Sequence, residues 1–167
     1  MQKISVFIAA FCCMMMVFTA CNNKPELKEL PLDPLLEWGC SLADVEAHMA
    51  AKPWYKDGND SLDYWEFYEG WHKWYRVSKN YELNEQYLFM TKDGQGMFVA
   101  MFYCWSKEIS IERGQEALLG KGFKACEKSS NDPVVQSEYV SDDGASEAYL
   151  CQENDVWWIE FYPIEEE

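Results

Sequence analysis

Histidine is almost absent. The 167 residues include only His48 and His72, so a His-based triad or a multi-His metal site has no raw material. Basic residues are scarce as well: 14 Lys and Arg stand against 29 Asp and Glu, and the net charge of −15 excludes general adhesion to nucleic acid or anionic lipid headgroups. The seven cysteines contain no Cys-x-x-Cys spacing, which argues against a redox pair or zinc ribbon, and no glycine-rich phosphate loop follows a strand. Carboxylates are plentiful, but none is set apart by spacing, so the chain reads as non-enzymatic. Core material is abundant, with 49% hydrophobic and 16% aromatic residues, too much for a disordered chain.

The N-terminus sets the expected location. Met1-Gln2-Lys3 is short and positive, residues 4–18 form an apolar stretch, and Phe18-Thr19-Ala20-Cys21 places small residues directly before a cysteine. This resembles a bacterial lipoprotein signal at residues 1–20, which implies cleavage before Cys21, lipid on its sulfur, and an outer-membrane address on the periplasmic or cell-surface side. The stretch is short for a membrane span of roughly 20 residues. Residues 21–37, with Pro25, Pro31 and Pro34, read as an extended tether.

Beyond the tether, periodicity marks the elements. Ser41 and Asp44 have capping-box spacing, and Leu42, Val45 and Met49 form one apolar stripe, so a helix is predicted over 41–51, stopped by Pro53. Aromatic and β-branched runs predict strands near 62–69, 71–78, 85–91 and 96–105, with Asp93-Gly94 as a hairpin turn and 97–105 as a central strand. The order then recurs: a helix over 109–120, and strands near 123–128, 134–140, 146–152 and 156–162. The expected fold is α+β, with tandem modules at 38–106 and 107–167, each one helix and a four-stranded antiparallel sheet.

The residues Trp38-Gly39-Cys40-Ser41-Leu42-Ala43-Asp44-Val45-Glu46, followed by aromatic strands and an Asp-Gly hairpin, resemble the small SmpA/BamE-like envelope lipoproteins. The tandem order is similar to the β-lactamase inhibitory protein fold and to lipoproteins of Bacteroides-type bacteria. The likeness covers 38–105 by motif and the remainder by order of elements. It implies contact with an envelope protein partner through a sheet face, with inhibition of an exported enzyme as one form.

Between residues 53 and 81, ten of 29 positions are aromatic. Trp54, Trp65, Trp71, Trp74 and Tyr75 are therefore the candidate partner-binding residues, with Cys21 as the lipidation site. Three readings remain open: core filling, a protein partner, or a surface glycan stacked on Trp54, Trp65, Trp71 and Trp74. The loop Asp57-Gly58-Asn59-Asp60-Ser61-Leu62-Asp63 fails the calcium pattern, because Leu62 replaces the turning Gly and Tyr68 the bidentate Glu, so no metal and no cofactor is expected. Cys104 is expected to be buried, whereas strand alternation turns Cys126 and Cys151 outward with another strand between them, which disfavours a bridge.

Overall fold

The computed structural model describes residues 30–52, 66–68, 71–77, 82–91 and 93–164, with backbone alone for 66–68 and 71–77. Helix α1 (Leu42–Ala50) begins where Ser41 and Asp44 cap each other. The Ser41 hydroxyl accepts from the Asp44 amide at 3.4 Å, and the Asp44 carboxylate accepts from the Ser41 amide at 2.9 Å. Four strands follow, β1 (Glu66–Tyr68), β2 (Trp71–Val77), β3 (Leu83–Phe89) and β4 (Met97–Cys104). Then come helix α2 (Ile111–Gly120) and strands β5 (Phe123–Ala125), β6 (Val135–Ser141), β7 (Ser146–Glu153) and β8 (Val156–Pro163).

Two tandem modules with separate four-stranded sheets do not form. All these strands join one antiparallel sheet in the order β1-β2-β3-β4-β8-β7-β6-β5. The six strands from β3 to β5 form its main body, and β2 and β1 extend it at one edge. The seam lies between β4 and β8, where Ala100 pairs with Phe161, Phe102 with Ile159 and Cys104 with Trp157. In separate modules both strands would be edges, each presenting a row of unpaired peptide groups beside large apolar side chains. Pairing them satisfies both edges and carries one apolar layer across the 106/107 boundary.

That layer is the core. Tyr87 and Phe89 of β3, Phe102 of β4, Trp157, Ile159 and Phe161 of β8, Leu150 of β7 and Tyr139 of β6 are buried on one face, beneath Val45 and Met49 of α1 and Leu118 of α2. Phe123 and Phe161 meet edge-on with ring centroids 5.6 Å apart. Helix α2 sits close to the sheet because of Gly114, where a Cβ would stand 2.7 Å from the Trp157 ring, and the Trp157 indole donates to the Ile109 carbonyl at 2.9 Å. The Asp93-Gly94 turn joins the hairpin to α1. The Gly94 carbonyl accepts from the Leu42 amide at 2.6 Å, and at φ +74° a Cβ there would strike Leu42.

The tether reading also needs correction where the chain is described. From Leu30 the segment is packed: Leu32 is 2% exposed, and Leu30, Leu35, Leu36 and Trp38 lie against the core. Its prolines keep it extended, and its polar groups find partners on the helical side. The Asp33 carbonyl accepts from His48 Nε2 at 2.7 Å and from Lys52 Nζ, and the Asp33 carboxylate pairs with Lys121 at 2.6 Å. Beneath the segment, Lys52 reaches the fully buried Glu85 at 2.9 Å, and the Tyr87 hydroxyl donates to the same carboxylate at 2.8 Å. No helix among the described residues is long and apolar enough to cross a membrane.

Candidate functional site

Both helices and residues 30–40 pack on one face of the sheet. The other face is therefore the candidate site, and strand alternation determines what it carries. Along β8, Trp157, Ile159 and Phe161 turn into the core, so Trp158, Glu160 and Tyr162 turn outward. Along β4 the outward residues are Val99, Met101 and Tyr103, with Trp105 just beyond the strand, and along β7 they are Glu147, Tyr149 and Cys151. Cross-strand pairing sets these in rows. One row runs Asn84, Tyr103, Trp158, Cys151, and the next runs Gln86, Met101, Glu160, Tyr149, Glu138.

Glu160 is the centre of the arrangement. Trp158 Nε1 donates to its Oε1 at 2.7 Å, and the Tyr162 hydroxyl donates to its Oε2 at 2.7 Å. Around it Tyr103 stacks on Trp158 at 5.8 Å, Tyr103 meets Trp105 at 6.3 Å, and Tyr149 meets Tyr162 edge-on at 5.8 Å. Met101, Tyr103, Trp158, Glu160, Tyr162 and Tyr149 are half-buried, while Trp105 is 42% exposed. The face thus presents a carboxylate held by two donors among half-covered rings.

These surroundings hold the phenols in their neutral form. Burial, reinforced by the Glu160 charge, pushes the Tyr103 hydroxyl up to about 12 and raises that of Tyr162. Burial together with Glu147 pushes Tyr149 up to about 12. In the unfolded chain these groups titrate near 10. Between pH 10 and 12 the folded form thus binds more protons, and stability falls as pH rises through that window. Near-ultraviolet phenolate absorbance should show a late-titrating class in the folded protein, and Glu160→Gln should shift part of it to lower pH.

One corner of the face is closed by a loop. Glu138, buried on β6, accepts from the amides of Ser129 at 3.0 Å and Ser130 at 2.6 Å, folding residues 126–134 against the sheet. These amide bonds hold its carboxyl below the usual range, so the clamp contributes above pH 4.5 and is lost as pH falls through the lowered folded value. Glu138→Gln should speed hydrogen exchange at Ser129 and Ser130 by about tenfold or more without unfolding the sheet. An unchanged exchange rate would refute the clamp.

The sequence-predicted residues fall only partly within view. Cys21, Trp54, Trp65 and the loop 57–63 lie outside the described residues. Trp71, Trp74 and Tyr75 are on β2, where Trp71 pairs with Tyr68, Trp74 with Tyr87 and Tyr75 with Gln86, so β2 continues the sheet beside β3. His48 supports the 30–38 segment, and His72 pairs with Phe89. Cys40, Cys104, Cys126 and Cys151 are free thiols, with Cys104 buried and Cys126 exposed. Cys151 is on the outer face, the side to which strand alternation turns it, yet it is only 1% exposed, between Trp158 and Val135 in register, and burial pushes its thiol up to about 12. No cluster of His, Cys, Asp and Glu able to hold a metal occurs among the described residues.

No family model, curated protein or solved structure matches this chain.

The residues that sequence reasoning missed are Tyr103, Trp105, Tyr149, Trp158, Glu160 and Tyr162. Their signal was nevertheless present: in Val156-Trp157-Trp158-Ile159-Glu160-Phe161-Tyr162 and Met101-Phe102-Tyr103-Cys104-Trp105, aromatic residues occupy both alternation phases. A sheet face turned to water alone carries polar residues in one phase.

Proposed function

We propose that this chain is a lipid-anchored cell-envelope protein that works as a non-enzymatic protein-interaction module. The observation that carries this reading is the outer sheet face, a half-buried aromatic surface centred on Glu160. Aromatic residues mark energetic centres of protein interfaces, because they bury large area at low entropy cost. The anchor part of the proposal rests on Phe18-Thr19-Ala20-Cys21 and places the domain at the outer membrane, facing the periplasm or the cell surface.

Two experiments test this. Cys21→Ala should release the protein from the membrane fraction, and unchanged retention would overturn the anchor. A photoreactive phenylalanine analogue in place of Tyr162, irradiated in the native envelope, should join one dominant protein. Trp158→Ala should weaken that complex by about tenfold or more while the sheet stays folded. Scattered neighbours alone would overturn the partner reading, and enrichment of glycan would favour the carbohydrate alternative.

A further inference from the structure

Around Glu160 the described donors are committed and acceptors remain. The Trp158 indole and the Tyr162 hydroxyl are committed to Glu160, and the Tyr103 hydroxyl is directed at Met101 Sδ, 3.5 Å away. Oxygen acceptors are left over. Glu160 and Glu147 have no ion-pair partner among the described residues. In the same cross-strand rows, Asn84 Oδ1 and Gln86 Oε1 are buried with no hydrogen-bond partner among the described residues. The basic side chains on the β5 side are already occupied, Lys124 with Asp142 at 2.7 Å and Lys128 with the Val135 carbonyl at 2.6 Å.

A carboxylate oriented by two donors, flanked by stacked Tyr103 and Trp158 rings, is complementary to a group that is cationic, donor-only and flat enough to lie on an aromatic face. Arg, and secondarily Lys, is the side chain with those properties. From this complementarity we propose that the outer face receives a basic protein surface, with an arginine or lysine side chain seated on Tyr103 and Trp158 and paired with Glu160. The inference rests on the reading of this face as an interaction surface and specifies the chemistry of the partner. The −15 charge of the chain would speed encounter with such a partner, while the Glu160 site selects the bound register.

The test uses the full chain and a fluorescently labelled Gly-Ser peptide carrying arginines, compared with the same peptide carrying neutral citrulline. Fluorescence anisotropy should show the arginine peptide bound about tenfold or more tightly than its citrulline counterpart. Glu160→Gln should abolish that preference, and Trp158→Leu should reduce it. Glu46→Gln, on the exposed side of α1 across the sheet, should leave it unchanged. Thermal melts would establish that each variant is folded, and Glu160→Gln keeps the side-chain shape should Trp158→Leu fail to fold. Equal affinity for the two peptides, or equal loss in Glu46→Gln and Glu160→Gln, would overturn the proposal and leave only diffuse charge attraction. The two readings fail separately: an envelope partner crosslinked through neutral residues would remove the cation site alone, whereas arginine preference without any crosslinked envelope protein would remove the partner reading alone.

Discussion

Lys52→Met should destabilise the fold by about 3–5 kcal/mol, because it leaves the Glu85 carboxylate buried without its cation. Glu85 is fully buried on the core face of β3, and besides Lys52 at 2.9 Å the Tyr87 hydroxyl holds it at 2.8 Å. One neutral donor does not replace an ammonium group in that setting. The Lys52→Met/Glu85→Gln double variant removes both charges and should recover at least half of the loss. Chemical denaturation of the single and double variants checks this, and a double variant no better than Lys52→Met would show that Lys52 acts through its contact with Asp33 instead.

The second large effect opposes helix propensity. Glycine inside a helix normally costs about 1 kcal/mol relative to alanine, so Gly114→Ala would stabilise α2 on that ground alone. Here the added methyl would sit 2.7 Å from the ring of Trp157, whose indole is held by the Ile109 carbonyl. Overpacking of that kind typically costs about 1–3 kcal/mol, so the net change should be a loss. Gly120→Ala, at the end of the same helix with nothing within 4 Å of the new methyl, should be neutral or stabilising by up to about 1 kcal/mol. Opposite signs for the two variants, read from their denaturation midpoints, would separate packing from propensity.

Local pattern placed most elements, because capping, turn chemistry and strand alternation act over a few residues. Ser41 with Asp44, Asp93-Gly94 and the apolar run into Cys104 correspond to the start of α1, the β3–β4 turn and a central strand. The assembly was not legible. The segments Met101-Phe102-Tyr103 and Glu160-Phe161-Tyr162 look alike, and that likeness suggested a repeat. They instead lie side by side across the β4–β8 seam, and pairing over so long a sequence separation leaves no periodic trace in a single chain. The site was missed for a related reason. Aromatic density drew the reading to residues 53–81, whereas the outer patch combines residues from β4, β7 and β8 that only the sheet brings together.

The position of β8 has a consequence for the order of folding. It is the last of the eight described strands in chain order, yet it lies at the middle of the sheet, between β4 and β7. A chain emerging from its N-terminus can form β3 with β4, and later β6 with β7, but until β8 arrives each pair has an open side at the place where the core must close. Pairing of strands so far apart in sequence is intrinsically slow, so the β4–β8 closure is the costly step this topology imposes. The sheet is thus completed from its middle, and the last described strand to be made is the one that locks its two halves together.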